Sequence, residues 1–225
     1  DRVAASITEI EARVSGPMPE TDAAQAEWEK SAATATKTEW TVLDPIEFKS
    51  QGGAKLTTLD DKSILVSGDN PATERYTLAV DTDLNAITAI RVEAIPDDSL
   101  SAKGPGRSSN GNVVLTDVRI AAGMPGVDPT AIKLKSASAD FSQQDFPVAN
   151  AIDDKPDTGW AIHPEVGKPH AAVFEAENPI VVAKGDRSND SISKTRLVVT
   201  LDFQSKFSQH QFGRFRVSVT NSTDP

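Results

Sequence analysis

Apolar residues fall at Val3, Ile7, Ile10 and Val14, spaced four, three and four with charged residues between them, so the first fourteen residues predict one face of an amphipathic helix. Ser15-Gly16-Pro17 and Pro19 end it. Asp22 can cap a second short helix over Ala23–Ala33, with Gln25 at the capping-box position and Trp28 as its large apolar residue. From Glu39 onward the period changes to two. Strands are predicted at 40–43, 55–59, 63–66, 76–80, 87–95, 113–120, 132–137, 171–174, 195–203 and 213–219, rich in Val, Ile, Leu, Thr and Phe.

Turn chemistry separates these runs, at Asp60-Asp61, Gly68-Asp69-Asn70-Pro71, Asp83-Leu84-Asn85, Gly104-Pro105-Gly106, Gly123 to Pro129 and Gly185-Asp186-Arg187-Ser188. Many short antiparallel strands around one core make a β-sandwich, of which the jelly roll is the expected form. No repeat of propeller or solenoid length recurs. The expected organisation is a helical hairpin or connector over 1–36, then one all-β domain over 37–225.

Cysteine is absent, which removes disulfides, thiolate metal sites, a cysteine nucleophile and covalent haem attachment. The three histidines, His163, His170 and His210, lack the spacing of a helical zinc pair, and no nucleophile-elbow, dinucleotide or phosphate-loop motif occurs. A non-enzymatic role is expected. The net charge of −10 opposes nucleic acid or an anionic membrane surface as partner. No apolar run approaches the roughly 20 residues that span a bilayer. A start at Asp1 and a stop at Pro225 suggest a piece of a longer polypeptide.

Three segments carry candidate chemistry. The first is Ala151-Ile-Asp-Asp-Lys-Pro-Asp-Thr-Gly-Trp160, a carboxylate-rich loop in which Asp153 and Asp157 can bond backbone N–H groups of their own turn and Trp160 enters an apolar strand. The second is Arg107-Ser-Ser-Asn110-Gly-Asn112, where an Arg fork and two amides can bond sugar hydroxyls. Alternatively Arg107 bonds carbonyls or Asp97 or Asp98, and Asn110-Gly111 makes a tight turn. The third brackets Pro164–Pro169: His163 and His170 could face each other near Trp160 as a platform for a pyranose, or each could simply satisfy the strand beside it. Glu165 and Glu175 have no spacing that favours glycoside cleavage over solvated charges. Arg214 and Arg216 alternate with apolar residues and share a sheet face, where they would grip an anionic glycan or pair with neighbouring carboxylates. Trp28 and Trp40 are expected to close the core at the passage from helices to sheet.

Ile87–Leu100, Gly104–Asn112, Leu115-Thr-Asp-Val118, Ala151–Ile162, His170–Glu175 and Gly213–Thr220 together resemble a region of large planctomycete proteins that begin with a cytochrome c domain. That resemblance spans roughly residues 1 to 223 and implies an extracytoplasmic setting, with haem elsewhere in the polypeptide and flanking domains as partners. A second resemblance is to discoidin or coagulation-factor type C modules, the galactose-binding-like jelly rolls. Their Ala-x-Asp-Gly loop followed by Thr-x-Trp is similar to Ala151-Ile-Asp153-Asp154 and Thr158-Gly-Trp160, with Asp154 where Gly is usual. It implies a structural Ca²⁺ held by oxygens of Asp153, Asp157 and Thr158, or else a loop closed by its own hydrogen bonds. The resulting expectation is a non-catalytic module that binds a polysaccharide or glycan through Arg107, Asn110, Asn112, Trp160, His163 and His170. The alternative is a structural domain that orients its neighbours and takes no small ligand.

Overall fold

The computed structural model describes residues 3, 6–8, 11, 19–34, 38–181 and 194–225, with side chains described for all of these except residue 20 and residues 28–34. Two compact units result, Asp1–Lys37 and Thr38–Pro225. In the first, the described residues up to Glu11 are helical, and Val3 and Ile7 are exposed. Helix α1 runs Pro19–Thr34. It starts a turn earlier than expected, because Pro is compatible with a first helical turn whose N–H groups have no intrahelical partner. Asp22 therefore lies inside the helix rather than at its cap. The side chain of Trp28 is outside the described residues.

The second unit is all-β. Numbered along the chain, its seven-stranded antiparallel sheet runs β10 (Leu134–Ala139), β12 (His170–Ile180), β6 (Ile87–Ala94), β14 (Arg214–Thr220), β4 (Ile64–Gly68) and β3 (Ala54–Thr58), with β1 (Thr41–Val42) also pairing β14. The five-stranded antiparallel sheet runs β2 (Glu47–Ser50), β5 (Glu74–Thr82), β13 (Thr195–Phe203), β8 (Asp117–Gly123) and β9 (Thr130–Ile132). A short ribbon pairs β7 (Val114–Leu115) with β11 (Trp160–Ala161).

Alternation makes the sandwich. Along β5 and β13 every second residue is buried, so Tyr76, Leu78, Val80, Leu197, Val199 and Leu201 enter one core with Ile90, Val92, Phe174, Phe215 and Val217 of the other sheet. Tyr76 stacks on Phe215 across the sheets at 5.9 Å, and Phe203 and Phe212 complete the aromatic group. The Tyr76 hydroxyl donates to the Phe212 carbonyl at 3.2 Å, and burial pushes its pKa above the ordinary phenol range.

Three strand expectations change. The run 113–120 divides at Thr116, whose N–H and hydroxyl both donate to the Asp202 carbonyl and whose hydroxyl accepts from Gln204 N–H. The run 132–137 divides at Lys133, where the chain leaves the five-stranded sheet for the seven-stranded one. The 171–174 strand extends to Ile180, with a register break between Glu175 and Ile180. Strand β2, short and just after Pro45, carries too few alternations to be seen in sequence.

The paired cations of β14 find carboxylates. Arg214 bonds Asp61 and Asp97, and Arg216 forms a two-point pair with Glu93. Hydrogen bonds from Ser63 and Ser99, aided by Arg214, hold the Asp61 and Asp97 carboxyls below their ordinary range. Because folding lowers these pKa values, their contribution is fully present above about pH 5 and is lost as pH falls below about 4. Acid unfolding followed by tryptophan fluorescence should therefore steepen below pH 4, and D61N/D97N should flatten that limb.

Candidate functional site

At one end of the sandwich, loops replace strands, and their backbone groups need side-chain partners. Gly104-Pro105-Gly106 runs so close to Gly111 and Asn112 that a Cβ on Gly106 would stand 2.0 Å from the Asn112 carbonyl oxygen. Ser108 Oγ donates to that same carbonyl at 2.7 Å, and the turn ends at Asn112, which is 5 % exposed. The Asn112 carboxamide ties three segments together. Its Oδ1 accepts from the N–H groups of Ile162 and His163 at 3.1 and 3.0 Å, and its Nδ2 donates to Gln143 Oε1 at 3.1 Å.

Above this amide lies a cleft of about 160 Å³ lined by Asn110, Asn112, Val114, Gln143, Phe146, His163, Phe207 and His210. Phe207 is 39 % exposed and packs edge-on against Phe146 at 5.8 Å, with the His210 ring at 5.8 Å on the same aromatic and Lys206 Nζ 5.5 Å from its centroid. The loop that carries Phe207 is anchored by the His210 carbonyl, which accepts from Val114 N–H, and by the Gln211 carbonyl, which accepts from Arg107 N–H. His210 Nδ1 lies 2.9 Å from the Ser208 carbonyl. A neutral ring donating there offers Nε2 as an acceptor. Asn110 Oδ1 is engaged by Ser108 Oγ and Asn112 N–H, whereas its Nδ2 has no partner among the described residues. The cleft thus has a mainly apolar wall that includes the Phe146 and Phe207 rings, with Asn110, His163 and His210 among its lining residues.

The other expected sugar-binding residues are elsewhere. Trp160 is fully buried, and its Nε1–H donates to the Phe141 carbonyl at 2.9 Å, so neither indole face meets solvent. Gly159 makes this possible, since a Cβ there would lie 2.7 Å from the Leu115 carbonyl oxygen. The His170 side chain is 1 % exposed and bridges Asp140 Oδ2 and the Glu165 carbonyl, each at 2.8 Å. His163 and His170 consequently do not converge, and only His163 reaches the cleft. Arg107 spends its guanidinium on the Gly68 and Asp69 carbonyls rather than on Asp97 or Asp98. Trp40 is half-buried under the Arg91 guanidinium, 4.7 Å from its centroid.

In the 153–158 loop, Asp153 accepts from Lys155 N–H and from the Thr158 hydroxyl, which also reaches the Lys155 carbonyl. Lys155 Nζ is 3.8 Å from Asp153 Oδ2. Asp157 is exposed. Among the described residues no three His, Asp or Glu side chains are grouped to share a metal ion. A loop site built from one carboxylate, a hydroxyl and carbonyls would not need such a group. Glu165 and Glu175 are held by Lys168 and Lys135 at 2.7 and 2.8 Å, which keep both carboxyls below their usual range.

Phe146, Phe207, His210 and Gln143 are the cleft residues that sequence reasoning missed. One signal was visible: Lys206-Phe-Ser-Gln-His210 sets a large aromatic among polar residues between two strands. No family model, no curated protein and no solved structure matches the chain.

Asn112→Ala would leave the buried Ile162 N–H and the partly buried His163 N–H unpaired. The expected cost is about 3 kcal/mol of unfolding free energy, measured by urea titration, against about 1 kcal/mol or less for the exposed Asn110→Ala.

Proposed function

We propose that the β-sandwich is a non-catalytic carbohydrate-binding module of the galactose-binding-like jelly-roll type, acting within a larger extracytoplasmic cytochrome c-containing protein. The observation that carries the reading is the loop-end cleft in which Phe207, 39 % exposed, stands beside the His210 ring, with Asn110 and His163 also on the lining. An aromatic face stacks on the C–H face of a pyranose while amide and imidazole groups bond its hydroxyls. Pockets for drug-sized ligands start near about 300 Å³; a cleft of about 160 Å³ suits one sugar ring or the end of a chain. Phe207 is the platform, Asn110 Nδ2 the donor, and His210 and His163 the remaining hydroxyl partners.

A structural Ca²⁺ would belong to the 153–158 loop, outside the cleft lining, with Asp153 and Thr158 as side-chain ligands and the Lys155 carbonyl beside them. Its role would be to hold the loop, replacing the hydrogen bonds and the ammonium that hold Asp153 there.

The second reading, a domain that orients its neighbours, rests on a different surface. Met124, Val127 and Val181 are exposed beside Ile132 and Ile180 in a groove of about 510 Å³.

A screen of immobilised neutral, acidic and sulfated glycans should give reproducible binding that Phe207→Ala or His210→Ala weakens about tenfold, with the melting temperature unchanged. Absence of binding across the panel, with and without Ca²⁺, would overturn the carbohydrate reading and leave the interaction domain.

A further inference from the structure

The outer face of the five-stranded sheet carries a second feature. Strand register places Lys49 opposite Thr77, Thr77 opposite Thr200, and Thr200 opposite Arg119. One straight row across four strands therefore reads cation, hydroxyl, hydroxyl, cation. Three steps between strands make it about 14 Å long. Arg75 lies in the adjacent row, opposite Asp202. Together with Gln51 these side chains line an open hollow of about 490 Å³.

Asp202 organises the cations. It is 2 % exposed, accepts Arg75 Nε at 2.5 Å on Oδ1, and accepts Arg119 Nη2 on Oδ2. Asp117 takes Arg119 Nη1 at 3.0 Å. Arg75 is thereby fixed through Nε alone and Arg119 through both Nη groups, while 41 % of the Arg75 side chain and 50 % of the Arg119 side chain stay exposed. The Arg75 Nη groups, the Lys49 ammonium and the Thr77 and Thr200 hydroxyls have no hydrogen-bond partner among the described residues. Lys49, Arg75 and Arg119 are thus gathered beside Asp202 and Asp117, with Asp154 close enough to act on Asp117, on a chain whose net charge is −10. Pre-positioned, half-desolvated donors bind oxyanions better than mobile surface lysines do, because less side-chain entropy is lost.

We propose that this row is a binding site for an acidic polysaccharide, with a carboxylate or sulfate ester held by Arg75 and Arg119 or by Lys49, and neutral hydroxyls of the same chain held by Thr77 and Thr200. A polymer that alternates oxyanions with hydroxyls matches the row in kind and order. Nucleic acid is the poorer match, because among the described residues the lining of the hollow offers no aromatic for a base to stack on. The site is separate from the Phe207 cleft and stands whether or not that cleft takes a neutral sugar.

The test is affinity electrophoresis of the whole chain through gels containing polygalacturonate, a sulfated galactan or uncharged dextran. Retardation by at least one of the two polyanions, decreasing as salt is raised, is expected; which of the two acts separates carboxylate from sulfate recognition. Lys49→Ala should weaken it about fivefold, the scale of an exposed ion pair. Thr200→Val, which changes no charge, should weaken it about threefold through a lost hydrogen bond. Lys62→Ala changes the net charge by the same amount elsewhere and should have no effect. No retardation by either polyanion, or equal losses in Lys49→Ala and Lys62→Ala, would overturn the proposal. So would polyanion binding that Phe207→Ala abolishes and Lys49→Ala spares, an outcome that leaves the cleft reading standing. Circular dichroism of each variant separates lost binding from lost fold.

Discussion

The loop end of the sandwich depends on the buried Asn112 carboxamide. Where strands end, backbone N–H groups lose their ladder partners, and a buried unpaired donor costs as much as a core cavity. Asn112 answers that problem for two successive residues, Ile162 and His163, and joins them to Gln143 with its other end. The cleft floor, the Trp160 strand and the Gly104–Asn112 turn are all fixed through it. Phe207 can remain half-exposed because the segment that carries it is bonded at Val114 and Arg107 on this same frame.

Satisfaction of polar groups also separates the residues that hold the fold from those with open donors or faces. Arg107, His170, Thr158 and Asp153 have the chemistry of ligand-binding groups, yet their polar atoms are spent on carbonyls, turns or a single carboxylate. Asn110 Nδ2 and His210 Nε2 have no such partner among the described residues, and Phe207 stays 39 % exposed. On the outer sheet face Asp202 bonds one nitrogen of each of two guanidinium groups and leaves the Arg75 Nη groups open.

Much of the β architecture was legible because burial on one face forces a period of two, and the 195–203 strand is bounded as expected. Sheet-changing points were not legible. The breaks at Thr116 and Lys133 depend on where the chain meets Asp202 and β12, which no local pattern encodes. For the site, Asn110, Asn112 and His163 line the cleft, Asn112 with its carboxamide spent on the frame, whereas Trp160 and His170 lie in the core. Sequence shows that an indole or imidazole can stack; only packing decides whether its face is open. Phe207 was overlooked for the converse reason, since a Phe usually signals core.

The most direct test is a nitrogen–proton correlation spectrum of the labelled chain, titrated with short neutral oligosaccharides and then with oligogalacturonates. The account predicts that the neutral sugars perturb the backbone amides of Asn110, His163 and Lys206–His210, together with the Asn110 side-chain amide. Oligogalacturonates should perturb the amides of Lys49, Thr77, Arg119 and Thr200 instead. Perturbations confined to the Met124–Val127 and Ile180–Val181 groove, or none with either series, would contradict it.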